Sequence, residues 1–362
     1  MKITIERKSF IDALSIGGSM SGKSKVLPIL DMAKITIKDK KAIISSFDGE
    51  CAITLRSEII DSEQDMVFCV NTKDLLSILK SLRDDTLVFD IANNLCVVEH
   101  KRGRMEISIS DSGDFPSPQK DDNNVVVPID SVVLASWVKK SKNFIENDDI
   151  RPMMGGMYLY VEGNEMGCAA TNAHKLYHEY IDIDTTYEKI DAVVTSKAID
   201  ALVGMIGNSD KVDIIFSENN IGFKTHNAML LCRKIEGRYP AFKSIIPKNN
   251  EITCEVELNV FKEAIMRANL MSGVTHLLKF TLNGMNMHIE SCDIDFGKRS
   301  SEDIMCSVSG DEITIAFNGA FLLDCINSLI ESNVVISLSS PMKPIVFREN
   351  NAIFVLMPMR VQ

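Results

Sequence analysis

The sequence of 362 residues lacks the long apolar runs that cross membranes, since none approaches the ~18 residues that a spanning helix needs. Its first residues, MKITIERKSF, contain no continuous apolar core, so we expect no secretory signal. The nine cysteines form no CxxC pair, and several lie inside apolar runs such as VFCV and LLDCI. This pattern argues against a zinc finger or a disulfide scaffold and favours a reducing compartment. We therefore expect a cytoplasmic protein that does not associate with membranes.

Aromatic residues are also scarce, at 6% with a single tryptophan, and the formal net charge is −11. Nonspecific nucleic-acid binding depends on Lys and Arg close to phosphates, so this average charge is a weak argument against it. A basic surface can nevertheless coexist with an acidic remainder.

The sequence does contain a threefold repeat. Two sets of amphipathic helical patterns recur roughly every 125 residues. The first set begins at Phe10, Val132 and Val260, and the second begins at Thr72, Ser196 and Asn318. Alternating runs of strand length, such as AKITIKD, VDIIFSE and HLLKFTL, lie between them. We therefore predict an α+β fold of three similar domains, each with two helices packed on antiparallel sheets, over residues 1–121, 122–248 and 249–362.

One motif imitates a nucleotide site. Gly17–Ser24 matches GxxxxGK[ST], the phosphate-binding loop of NTPases. That loop works only between a buried strand and a helix whose N-terminal amides face the phosphates. Here the preceding segment has helical spacing, and Pro28 lies where the next helix would continue. We interpret the segment as an exposed basic loop; an NTPase is the enzymatic alternative, which nucleotide binding abolished by Lys23→Ala would support.

Metal and catalytic chemistry find little support. His174 and His178 are four residues apart, but CAATNAHKLYHEY alternates like a strand, which would separate the rings by ~13 Å. There is no GxSxG, and no Ser or Cys has a base and an orienting acid at a recognisable spacing. We expect no catalytic residue, no metal site and no cofactor.

Several predicted helices carry lysines opposite their apolar residues, namely Lys73, Lys80, Lys139 and Lys140, and Lys197 opens another helix. On one helix this pattern usually marks a solvated face, but its recurrence at equivalent repeat positions favours a basic surface. The few aromatic residues do not interleave with these lysines. The pattern therefore indicates contact with phosphates and not with bases.

Six motifs have a characteristic order and spacing: LPIL (27–30), DFP (114–116), MGGMYLYVEG (154–163), AATNAHKLY (169–177), EGRYPAFKSIIPK (236–248) and VLMPMR (355–360). Together with the repeat, they make residues 1–362 resemble the bacterial sliding clamps, the β subunits of DNA polymerase III. The resemblance implies that two protomers close head to tail into a six-domain ring around duplex DNA, with helices inside and sheets outside. It implies tethering of the polymerase III α subunit, the clamp loader and other proteins with clamp-binding peptides, without catalysis, in the nucleoid-associated bacterial cytoplasm.

The same resemblance implies a pocket for short peptides between the second and third domains. Its residues would be Met154, Thr171, His174, Lys175, Leu176, Pro240, Ile245, Val355, Met357, Pro358, Met359 and Arg360. Lys175 and Arg360 would help to orient the peptide. The sequence departs from the family in reading ATNAHK where ATDGHR is usual, and in having Ser244 where arginine is frequent.

The resemblance also implies the surfaces that form the ring. The homodimer interface would contain Arg102, Arg104, Met105 and Ile107 on a first-domain edge strand and Leu270 and Met271 in the third domain, with Glu302 and Asp303 nearby. Lys23 and Lys25 would contact the DNA backbone. A monomeric peptide-binding scaffold is the second alternative, and a native mass of one chain at every concentration would favour it.

Overall fold

The structure, a computed structural model, describes residues 1–22, 27–119, 121–146, 150–207 and 209–360. The chain divides into one unit formed by Met1–Ser136 and Lys197–Lys234, and a second formed by Trp137–Ser196 and Ile235–Gln362. None of the helices in these described ranges is long and apolar enough to cross a membrane. The cysteines are all free thiols, and each of them except Cys292 is buried.

The helices and strands are as follows. The helices are α1 (Arg7–Gly17), α2 (Thr72–Ser81), α3 (Ser131–Ser141), α4 (Ser196–Ile206), α5 (Leu258–Leu270) and α6 (Gly319–Ile326). The first strands are β1 (Lys2–Glu6), β2 (Met32–Lys38), β3 (Lys41–Phe47), β4 (Cys51–Glu58), β5 (Asp61–Ser62), β6 (Met66–Asn71), β7 (Thr86–Ala92), β8 (Leu95–His100), β9 (Gly103–Ser110), β10 (Val125–Asp130), β11 (Gly156–Thr171) and β12 (Lys175–Thr195). The remaining strands are β13 (Lys211–Phe216), β14 (Asn220–Lys224), β15 (Ala228–Arg233), β16 (Ile252–Glu257), β17 (Leu277–Asn283), β18 (Asn286–Asp293), β19 (Lys298–Met305), β20 (Ser307–Ser309), β21 (Ile313–Asn318), β22 (Asn333–Leu338), β23 (Ile345–Glu349) and β24 (Ala352–Leu356).

The first unit contains one antiparallel sheet in the order β10-β13-β14-β15-β4-β3-β2-β6-β9-β8-β7-β1-β5. Helices α1 and α2 pack against each other, and α1 also contacts β1, β3 and β4. The alternation in AKITIKD buries Ala33, Ile35 and Ile37 on one face of β2, as a half-buried strand requires. Phe10 of α1 meets the ring of Phe89 edge-on at 5.5 Å between centroids.

The second unit contains two antiparallel sheets, in the orders β11-β12-β24-β23-β22-β16-β20 and β19-β18-β17-β21. Helices α5 and α6 pack against each other within it. One of its buried clusters is aromatic and is formed by Tyr160, Ala169, Leu176, Val193, Tyr239, Phe242, Val346 and Val355.

Helix starts follow from capping chemistry. The Asn71 carboxamide oxygen accepts hydrogen bonds from two first-turn amides of α2 at 3.0 and 3.1 Å. Asn318 caps α6 in the same way, at 2.9 and 3.1 Å. Helix α4 instead begins at Ser196 itself. All helices predicted from the repeat are present, so the α+β class is confirmed, whereas the domain boundaries at 121 and 248 stay a prediction.

Candidate functional site

The residues predicted to bind a peptide lie in the second unit. Strand β12 pairs with β24 so that Leu176 lies opposite Val355. Just beyond these strands, the Met357 amide donates a hydrogen bond to the His174 carbonyl at 2.9 Å. This pairing places the ATNAHK turn beside the C-terminal segment, although the two are distant in sequence.

Several of the residues predicted to line the peptide pocket are apolar, and they differ in exposure. Leu176 and Val355 are each only 1% exposed, whereas Ile245 is 46% exposed and Met357 is 38% exposed. Met153 and Ile246 are the chain neighbours of Met154 and Ile245. They pack against the aromatic cluster that includes Leu176 and Val355. We call the following residues the apolar patch: Met154, Leu176, Pro240, Ile245, Val355 and Met357. Its methionines suit a surface that adapts to apolar ligands.

The turn between β11 and β12 is held by its own side chains. The Thr171 hydroxyl donates to the Lys175 carbonyl at 2.7 Å and accepts from the Ala173 amide at 3.1 Å. The Asn172 side chain accepts from the amides of His174 and Lys175 at 3.0 and 3.1 Å. Ala173 has φ +75°, a left-handed conformation that disfavours a residue with a Cβ. The departure from glycine at this position therefore places strain in the turn.

Lys175 departs from the sequence-based expectation that it helps to orient the peptide. It is 7% exposed, and its ammonium forms an ion pair with the Asp324 carboxylate of α6. The ammonium also lies 4.9 Å from the Phe321 ring centroid and 5.7 Å from that of Phe144. Because a buried charge must be paired, these contacts hold Lys175 inside the protein.

Sequence reasoning did not find the partners of Lys175. Phe321 also stacks on His174, with ring centroids 5.7 Å apart and planes inclined by 19°. Asp324 interrupts an otherwise apolar stretch, LLDCI, and an acid in such a place is the signal that could have pointed to a buried cation.

The last described residues cross from one sheet to the other. The Met359 amide donates to the carbonyl of Ala316 in β21 at 2.7 Å, while the Met357 amide bonds to the turn. Pro358 lies between them and has no amide hydrogen to satisfy. Pro358 and Met359 are partly buried, and Arg360 is exposed. Of the two cationic residues predicted to orient a peptide, Arg360 is the exposed one.

His178 belongs to a polar cluster and not to a metal pair with His174. Its Nε2 lies 3.0 Å from the Tyr160 hydroxyl, which donates to Glu165 at 2.6 Å. Lys243 donates to the same Glu165 oxygen at 2.8 Å. Burial, followed by the nearby positive charge of Lys243, lowers the pKa of His178 to about 4. Burial would raise the pKa of Glu165, but the hydrogen bonds from Lys243 and Tyr160 outweigh it and lower that pKa.

The lysines predicted to meet DNA differ in their surroundings. Lys23 and Lys25 lie outside the described residues. Lys73, Lys80 and Lys139 are exposed on α2 and α3. Lys140 is largely buried, pairs with Glu179 at 2.7 Å and lies 5.8 Å from the Tyr177 ring centroid. Lys197 is ion-paired with Asp48. Lys140 and Lys197 are thus paired with carboxylates within the chain, and DNA contact by the predicted lysines stays a prediction.

The predicted dimer residues lie on two exposed edges. Strand β9 pairs with β8 from Gly103 to Ser108, but its pairing with β6 involves only Ile109 and Ser110. In the other unit, β19 is an outer strand, and Leu270 at the end of α5 is 72% exposed. Further predicted members are Arg102 and Arg104, which are exposed, Met105 and Ile107, which are partly buried, and Met271, which is 37% exposed.

The acids near this second edge already have partners within the chain. Glu302 accepts hydrogen bonds from the Arg267 guanidinium at 2.5 and 3.0 Å. Asp303 lies 2.8 Å from the His288 ring and accepts from Asn286 at 2.7 Å. The charge of Glu302 is therefore partly neutralised, and Asp303 is already hydrogen-bonded, before any second chain approaches.

The nucleotide-binding alternative has the wrong structural context. The chain enters Gly17–Ser24 from helix α1 and not from a buried strand, and a 3-10 turn at Pro28–Asp31 follows. Lys23 and Ser24 of this motif lie outside the described residues. Across the part of the chain that is described, no group of three or more His, Cys, Asp or Glu side chains could hold a metal ion.

Comparisons with known proteins cover almost the whole chain. Residues 1–119, 128–241 and 243–360 match the models of the N-terminal, central and C-terminal domains of the DNA polymerase III beta subunit. The "Beta sliding clamp" proteins of Staphylococcus epidermidis and Staphylococcus aureus are each 23% identical over 360 residues, which covers 96% of this chain and 95% of each relative.

Solved structures share the fold over the full length. A sliding clamp from Pseudomonas aeruginosa bound to griselimycin has a TM-score of 0.94 at 20% identity, with 100% of both chains covered. The DNA polymerase sliding clamp from Bacillus subtilis has a TM-score of 0.91 at 22% identity, with the same coverage.

The strained turn generates a stability prediction. We expect Ala173→Gly to raise the free energy of unfolding by up to about 1 kcal/mol, because glycine adopts a positive φ at little steric cost. Urea unfolding at fixed pH measures the change. Ala170→Gly, in the adjacent strand β11, is the control and should destabilise. A variant less stable than wild type would contradict the strain at Ala173.

The depressed pKa of His178 generates a pH prediction. With the folded pKa at about 4 and the ordinary value at 6.5, the unfolded chain binds the proton more tightly, so stability falls as pH drops from about 6.5 towards 4. We expect this group to make the free energy of unfolding about 2 kcal/mol lower at pH 5 than at pH 7.5. Urea unfolding at both pH values should show a smaller difference for His178→Gln than for wild type. The exposed His226→Gln variant should behave like wild type, and an unchanged difference in His178→Gln would refute the assignment.

Proposed function

The chain belongs to the family of the DNA polymerase III beta subunits, the bacterial sliding clamps, and we propose that it acts as a homodimeric ring that tethers replication proteins to duplex DNA through the apolar patch. The observation that carries this proposal is the match of all three clamp domains, in order, along one chain. An isolated motif would show far less, since Gly17–Ser24 resembles a nucleotide site without its structural context.

Two strand edges support a ring made of two copies. An unpaired edge is a template for another strand. In the proposed dimer, the Gly103–Ser108 edge of β9 in one copy pairs with β19 of the other, and this pairing continues the sheets across the boundary. Met105, Ile107, Leu270 and Met271 supply apolar contacts beside this pairing.

The charges support weak, sequence-independent contact with DNA. The net charge is −11, and the exposed Lys73, Lys80 and Lys139 provide local positive potential on helices. A ring retains DNA by topology, so strong attraction to phosphates is unnecessary and would slow sliding. Lys140 and Lys197 are less suited to this contact because carboxylates already pair with them.

The proposed partners are proteins that carry short apolar peptides, including the polymerase III α subunit and the clamp loader. Ile245 and Met357 expose apolar side chains, whereas Leu176 and Val355 are buried. Partner binding by this patch, together with DNA encirclement, accounts for the proposed function without a catalytic step. We propose a location in the bacterial cytoplasm, where duplex DNA is found and thiols stay reduced.

The ring generates the first functional prediction. Wild type should have a native mass twice the 40.3 kDa of one chain. Met271→Asp should release monomers, because dimer formation would bury an unpaired carboxylate. After loading onto nicked circular DNA by a clamp loader, wild type should be retained and should be lost when the circle is linearised, while Met271→Asp should not be retained. Met342→Asp, at a position 64% exposed and outside the proposed interface, is the matched control. A concentration-independent monomer would support the scaffold alternative and contradict the ring.

The apolar patch generates the second functional prediction. The double variant Ile245→Ala with Met357→Ala removes two exposed anchors and should weaken binding of a short Gln- and Leu-containing polymerase peptide by about tenfold to a hundredfold. Fluorescence anisotropy measures the affinity, and native mass checks that the dimer persists. Val260→Ala, at a position 41% exposed on α5, is the control. Equal affinities for the double variant and wild type would place the peptide site elsewhere.

A further inference from the structure

Lys175 and Asp324 join two elements that lie on different clamp domains. They are 149 residues apart along the chain. The model of the central domain matches the region of Lys175, and the model of the C-terminal domain matches the region of Asp324. Both residues belong to the same compact unit. Their ion pair therefore fastens the start of β12 to helix α6.

Aromatic rings connect the Lys175–Asp324 ion pair with the apolar patch. Phe321 and Asp324 are three residues apart in α6 and so share a face of the helix. The Phe321 ring contacts the Lys175 ammonium from 4.9 Å and stacks on the imidazole of His174. His174 is exposed, and its carbonyl accepts the amide of Met357, a patch residue. The positions of His174 and Met357 are thus linked to the buried ammonium through direct contacts.

We propose that Lys175 is a positioning residue for partner peptides. Its ion pair with Asp324 keeps the Lys175 ammonium from contacting the peptide, and this pair sets the placement of His174 beside the apolar patch. This inference rests on the proposed function, because it requires that a peptide binds the patch. Lys175 is only 7% exposed, so a peptide carboxylate that approached its ammonium would compete with Asp324. Direct recognition and positioning therefore predict opposite effects of removing the Asp324 charge.

The deciding variant is Asp324→Asn, which keeps the shape of the side chain and removes its charge. If Lys175 positions the turn, affinity for the Gln- and Leu-containing polymerase peptide should fall about tenfold, and Lys175→Met should cause a similar loss. The double variant should be no worse than either single variant, because both changes remove the same interaction. Lys175→Arg should retain most of the wild-type affinity. Glu290→Gln, which breaks the exposed pair between Lys279 and Glu290, is the control and should have no effect.

A spectroscopic readout separates positioning from general stability. In NMR spectra of the full-length protein, stacking on Phe321 shifts the His174 ring protons, and Asp324→Asn should move these signals while Lys175→Arg leaves them near wild type. Unchanged or tighter peptide binding in Asp324→Asn would overturn the proposal, as would additive losses in the double variant. Failure of wild type to bind any such peptide would instead overturn the proposed function of the patch.

Discussion

Strand β24 lies against β12 with Leu176 opposite Val355, and this register determines the surroundings of the whole candidate site. A slip of one residue would exchange the buried and exposed faces of β24 and remove Val355 from the core. In the observed register, the next residues reach the turn through the Met357 amide and the second sheet through the Met359 amide. The C-terminal segment is therefore held at both ends while Met357 stays open to solvent.

The chain is acidic overall, and some of its predicted site lysines are paired with carboxylates while others are exposed. Three of the lysines predicted as site residues are paired with carboxylates: Lys140 with Glu179, Lys175 with Asp324 and Lys197 with Asp48. Two of these pairs are substantially buried, and there an unpaired ammonium would be costly. Of the predicted DNA-contacting lysines, Lys73, Lys80 and Lys139 are exposed on helix surfaces, where screening keeps each contact weak. This division is compatible with a clamp that holds DNA by enclosing it.

The residues around each motif indicated whether the motif lies in the structural context that its function requires. Periodicity located all predicted helices, and Asn71 and Asn318 cap α2 and α6 through amides two and three residues away. Gly17–Ser24 matched a phosphate-binding loop, but the helical spacing before it indicated the wrong context, and α1 lies there. The alternation around His178 likewise predicted a strand, and His178 lies in β12. These two predictions are confirmed because hydrogen bonds within helices and side-chain alternation in strands involve residues only a few positions apart.

The candidate site contains features that local sequence patterns do not predict. Motif resemblance predicted that Leu176, Val355 and Met357 lie near one another, as they do, but it did not indicate that Lys175 is buried, and it left out Phe144, Phe321 and Asp324. Nothing near Lys175 in the sequence distinguishes a surface cation from a buried one, because its partner lies 149 residues away. The repeat, the helices and strands and the family could be inferred from the residue order, since they depend on local periodicity and motif order. Which lysines are buried and paired could be seen only in the folded chain, because desolvation and ion pairing arise when distant elements pack together.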